Sequence, residues 1–141
     1  MENLGSATPG GRTSPPRPGA ERPFVTHPHD GTTVIRTRGH LDSASGGRLL
    51  RLLDAEIEMA RTGHRRLDVV VIDVSASDTI SRGGPEALAH ALHACTRRRI
   101  GFAVAGTFDL RFLSPAAQRR LAALTWYPTV EVAITSATGR R

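Results

Sequence analysis

The residues with chemical potential gather between Asp68 and Leu88, in the run DVVVIDVSASDTISRGGPEAL. Asp73 closes an apolar stretch. A polar loop follows, then Ser81-Arg82-Gly83-Gly84, and Pro85 opens a helical pattern. A loop leading from a strand into a helix meets free N–H groups and the positive end of the helix dipole, so it suits recognition of charge. Elsewhere, His27 and His29 flank Pro28, and His90 and His93 stand three apart. Such spacing can hold a metal, but no acidic or cysteine ligand stands at a recognised interval. These histidines are expected at the surface. Cys95 falls on an apolar helical stripe with no histidine assigned to that face, which argues against a nucleophile. Gly83-Gly84 could cradle a phosphate, but neither G-x-G-x-x-G nor G-x-x-x-x-G-K-[ST] is present. No catalytic constellation, metal or cofactor is expected.

The elements that must position this loop follow from hydrophobic spacing. Residues 1–22 are rich in proline and glycine and almost lack large apolar side chains, so a disordered tail is expected. Phe24–His27 and Thr33–Arg38 read as strands joined by a turn at Asp30-Gly31. Gly39–Ser43 then leaves the sheet, and Asp42 or Ser43 could cap the next helix. From Ser45 to Arg61, Leu49, Leu50, Leu53, Ile57 and Ala60 share one helical face, and Gly63 ends the helix. Leu67–Asp73 reads as a strand buried on both faces. A helix from Pro85 to Arg98 buries Leu88, Ala91, Leu92 and Cys95, with Glu86, His90 and His93 on its wet side. Ile100–Ala105 is the next strand, and Ser114-Pro115 starts a third helix. Thr129–Ile134 is expected as a last strand, with residues 137–141 frayed.

This order predicts one α/β domain over residues 23–136. Its sheet should be mixed and mostly parallel, with four to five strands and helices mainly on one face. The chain has 141 residues, enough for a core without disulfides, and its single cysteine suits a reducing compartment. No apolar stretch is long enough for a membrane span, so a cytoplasmic protein with no membrane partner is expected. The net charge is +6, and all 19 basic residues are arginine. A GC-rich genome explains that bias most simply. Nucleic-acid binding is the alternative. The arginines are scattered, and the 4% of aromatics are not interleaved with them, which argues against a base-stacking platform.

Three passages together resemble the STAS domain, the fold of bacterial anti-sigma factor antagonists. They are Val34–Asp42, ending in Gly-x-Leu-Asp, then Val69–Leu88, then Ile100–Ala105 with its Ser-Pro helix. The resemblance covers roughly residues 24–136. It implies a regulatory protein-binding module, not an enzyme, acting in transcription control with an anti-sigma factor or related serine kinase as partner. In the family, an Asp-Ser-Ser/Thr-Gly signature begins eight residues after the strand-ending aspartate. Counted from Asp73, Ser81 stands for the aspartate and Arg82 for the phosphorylatable serine, while Gly83 takes the second hydroxyl position and Gly84 keeps the glycine. Phosphorylation there adds roughly −2 charge at a helix N-terminus and disrupts partner binding. Arginine cannot accept phosphate, so the usual switch is expected to be absent. Arg82 near a positive dipole end is unfavourable by roughly 0.3–1 kcal/mol if unpaired. An acidic partner, Asp78 or Glu86 could answer it, and drift in a degenerate relative explains it equally well.

The expected partner-binding residues are Asp42, Asp78, Thr79, Ser81, Arg82, Gly83, Gly84 and Glu86. Ser81 either caps the second helix or, with the register slipped by one, accepts phosphate. Asp42 either caps its helix or touches the partner. The competing function is a small-ligand or nucleotide sensor using the same loop, a role that STAS-like domains also serve.

Overall fold

A computed structural model describes residues 22–139, so the expected tail lies, but for Arg22, outside the described residues. The chain forms β1 (Phe24–His29), β2 (Thr32–Leu41), α1 (Ser43–Arg61), β3 (Val69–Ile80), α2 (Gly84–Arg97), β4 (Gly101–Ala105), α3 (Pro115–Ala122), β5 (Trp126–Tyr127) and α4 (Val130–Gly139). The five strands lie in the order β1-β2-β3-β4-β5. β1 pairs with β2 antiparallel, and the remaining pairs are parallel.

The apolar run of β3 reads as buried because both of its faces are covered. Val70, Ile72 and Val74 face the larger core, with Leu49 and Leu53 of α1, Leu88 and Cys95 of α2, and Leu121 of α3. Val69 and Val71 face the smaller core on the other side, with Ala133 and Ile134 of α4. Each fully buried aliphatic side chain of this kind contributes roughly 1.5–3 kcal/mol. Burial also pushes the Cys95 thiol up to about 12, so it remains an inert, protonated core group.

Two expectations need correction. First, the sheet does not end at Arg38 and Asp73. β2 and β3 run on in parallel to Leu41 and Ile80, through two register irregularities, so the expected polar loop 74–80 is strand. Its polarity reflects one-sided pairing, since β4 stops opposite Asp73. A buried hydroxyl pair, Thr37 Oγ1 and Ser77 Oγ at 2.6 Å, ties the extension together.

Second, Thr129–Ile134 is not a strand. The last strand is Trp126–Tyr127, and residues from Val130 onward form α4. Thr129 Oγ1 accepts a hydrogen bond from the Val132 N–H at 3.2 Å. Val130, Ala133, Ile134 and Ala137 recur at helical spacing and pack on the back of the sheet. The β-branched residues thus serve a helix because tertiary packing outweighs local propensity. α4 runs to Gly139, the last described residue. No described helix is long and apolar enough to cross a membrane.

Candidate functional site

The extended β2 and β3 deliver two helix N-termini to the same end of the sheet. Asp42 caps α1. Its Oδ1 accepts from the Ala44 and Ser45 N–H groups at 3.0 Å each, and the Ser45 hydroxyl accepts from the Asp42 N–H at 2.9 Å. This is a reciprocal capping box. The backbone hydrogen bond from Ser45, aided by the Ser45 hydroxyl and the Ala44 N–H, holds the Asp42 carboxyl below its ordinary range. A lowered folded-state pKa contributes stability above the unfolded carboxylate pKa and loses it as pH falls through the folded value. Asp42→Ala is therefore expected to cost about 1 kcal/mol near neutral pH. The difference from the native chain should shrink in acid, as read by urea unfolding at several pH values.

Beside this cap the chain turns from β3 into α2. The Ser81 N–H donates to the Leu41 carbonyl at 3.0 Å, and the Gly84 N–H donates to the Ser81 carbonyl at 2.8 Å. Gly83 is the N-cap of α2, with φ +94°. Its own N–H donates to Glu86 Oε1 at 3.0 Å. A Cβ on Gly83 would stand 2.6 Å from both Cα and N of Ser43. Position 83 is therefore closed to any side chain here, by backbone conformation and by the neighbouring helix start.

Ser81 does not cap α2, contrary to one expectation. The turn puts Gly83 in the cap position and directs the Ser81 hydroxyl back toward β2. There it lies 2.7 Å from His40 Nε2, while His40 Nδ1 hydrogen-bonds to Thr79 Oγ1. His40 thus joins two of the expected site residues across the strand ends. Only the parallel register, which sets His40 opposite Thr79, makes this contact, and nothing in local spacing signals it.

Arg82 is exposed at the turn, and among the described residues its guanidinium has no carboxylate within 4.0 Å. Neither Asp78 nor Glu86 answers it. Glu86 is not simply on a wet face, because its carboxylate holds the Gly83 N–H and lies 3.5 Å from Arg120. Asp73, at the middle of β3, is buried and structural. Its Oδ2 accepts from Arg36 Nε at 2.7 Å, and its Oδ1 accepts from the Ser75 N–H at 2.9 Å and the Ser75 hydroxyl at 2.6 Å.

A cleft of about 710 Å³ opens beside this turn. Asp78, Ile80, Arg82 and Pro85 form one wall, and Asp109, Phe112 and Leu113 of the β4–α3 connection form the other. The second wall was not legible in the sequence, since Thr107–Leu113 carries no periodic pattern. Of the other candidates, His90 and His93 are exposed on α2, and His27 Nε2 lies 2.7 Å from Glu56 Oε1. The site gathers Asp42, Asp78, Thr79, Ser81, Arg82, Gly83, Gly84 and Glu86 at one end of the sheet, where open α/β folds place ligands. What it offers is a charged, partly apolar recognition surface.

The sequence model of the STAS domain matches residues 24–109. Among curated protein sequences none matches the chain. An anti-sigma factor antagonist from Mycobacterium paratuberculosis is similar in fold, with a TM-score of 0.66 at 23% identity, covering 86% of this chain and 97% of that one. The unphosphorylated anti-sigma factor antagonist SpoIIAA is similar too, with a TM-score of 0.57 at 17% identity over 83% of this chain and 98% of that one. A part of SLC26A9, 20% of its length, matches 79% of this chain with a TM-score of 0.61 at 12% identity.

Proposed function

The chain belongs to the STAS domain family, and on that premise we propose that it is a regulatory protein-binding module, an anti-sigma factor antagonist that works without the family's phosphoserine switch. Its partner is an anti-sigma factor or a related serine kinase. The binding surface is the end of the sheet where α1 and α2 begin. The observation that carries this reading is the Ser81–Gly84 turn. Arg82 occupies the position of the phosphorylated serine and remains exposed at the start of α2. The next position is glycine with φ +94°, packed against Ser43. The recognition scaffold is kept, while the serine that would take phosphate and the hydroxyl that follows it are not. Binding is then set by the amounts of the two proteins and not by a phosphate.

Calorimetric titration of the full chain with anti-sigma factors encoded in the same genome tests this reading. One of them should bind, and Arg82→Asp should weaken that binding at least tenfold, since it reverses a charge on the contact surface. Equal binding by the native chain and Arg82→Asp would overturn the site assignment.

A further inference from the structure

β3 outlasts one of its neighbours. It pairs with β2 from Val69 to Ile80, yet β4 accompanies it only from Val69 to Asp73. Gly106 turns the chain away at that point. Its φ is +113°, and a Cβ there would stand 3.0 Å from the Ser75 nitrogen. From Ser75 to Ile80 one edge of β3 therefore has no strand beside it among the described residues, although β3 sits in the middle of the sheet. Six strand residues span about 20 Å. The cleft meets the last three residues of this edge, Asp78, Thr79 and Ile80, which are part of its lining. A strand edge presents a row of N–H and C=O groups that fit an extended backbone and no other conformation.

The walls of the cleft specify what that extended backbone should carry. Phe112 is 88% exposed, against 37% for Met59 and 42% for Val132. Leu113, Ile80 and Pro85 continue its apolar surface into the cleft. The charges are unevenly satisfied. Asp109 is held by Arg111, with N–O distances of 2.8–3.2 Å, and Glu86 by the Gly83 N–H and Arg120. Arg82 and Asp78 have no ion-pair partner among the described residues.

We propose that this cleft receives an extended segment of a partner protein as an added strand on the free edge of β3, bringing an apolar side chain to Phe112, a carboxylate to Arg82 and a basic side chain to Asp78. Main-chain hydrogen bonds along β3 supply affinity, and the three side-chain contacts supply specificity and direction. The inference rests on the partner-binding reading above and names the chemistry of that partner.

The test places the photo-crosslinker p-benzoylphenylalanine at Phe112 of the full chain, in the cells that make it, with Met59 as the control position. Irradiation should join residue 112, and not residue 59, to a segment of one partner that carries acidic, apolar and basic residues close together. A synthetic peptide of that segment should bind the native chain at least tenfold more tightly than Arg82→Glu. Exchanging its acidic residue for lysine should restore binding to Arg82→Glu. Equal binding to both chains overturns the proposal. So does an adduct with residues 1–21 of this chain or with a second copy of it, a segment without a carboxylate, or no adduct at residue 112. Should an anti-sigma factor bind in solution without crosslinking here, this inference falls and the functional reading stands. Should the adduct carry the stated chemistry but belong to a different kind of protein, the reverse holds.

Discussion

Replacing Gly83 by serine lowers stability by about 3 kcal/mol, because a left-handed backbone cost adds to a collision with fixed backbone atoms. The position has φ +94°, and a Cβ there would meet Cα and N of Ser43 at 2.6 Å. No side-chain rotation relieves such a contact. Either the α1 start or the Ser81–Gly84 turn must move, and both help to frame the candidate binding surface. Chemical denaturation of the native chain and Gly83→Ser gives the number directly. An Arg82→Ser chain measured beside it should lose far less, since residue 82 is exposed. The contrast separates positions 82 and 83. One is closed by the backbone, and the other differs by its side chain alone.

Asp73→Ala should cost a similar amount, about 3 kcal/mol, for a different reason. The carboxylate is buried and accepts from Arg36, the Ser75 N–H and the Ser75 hydroxyl. Removing it loses hydrogen bonds to a charged acceptor, each worth roughly 1.5–3 kcal/mol, and the exposed Arg36 and Ser75 recover part of that through water. Arg36→Met should cost less, because Ser75 still satisfies one carboxylate oxygen and the lost guanidinium is partly in solvent. Urea unfolding of the two variants ranks them. A larger loss for Arg36→Met would mean that the ion pair, and not the Ser75 contacts, holds Asp73 in place.

The sequence read best where local chemistry and tertiary packing agree. Leu67–Asp73 reads as a doubly buried strand, and both cores claim residues of it from Val69 to Ile72. Asp42 reads as a possible cap, and three atoms of the first turn of α1 complete the box. Ser114-Pro115 reads as a helix start, and the Ala117 N–H donates to the Ser114 hydroxyl at 3.1 Å. Legibility fails where a partner strand or a distant surface decides the outcome. Val74–Ile80 looks like a polar loop, because β4 stops opposite Asp73 and side chains beyond it need not be apolar. Thr129–Ile134 looks like a strand, because the back of the sheet that selects its helical face is assembled from residues 34, 69, 71, 103 and 105. His40 becomes part of the site only when β2 and β3 run in parallel register to their ends. Phe112 becomes notable only once its neighbours leave it uncovered.

In the proposed function, partner binding is independent of phosphate, because Arg82 cannot carry one. The direct measurement is the affinity of the full chain for the anti-sigma factor proposed as its partner, before and after incubation with that factor and ATP, with phosphate mapped over residues 75–90. The account predicts unchanged affinity and no phosphate on Ser81 or its neighbours. An ATP-dependent loss of binding, with phosphate on Ser81, would contradict it.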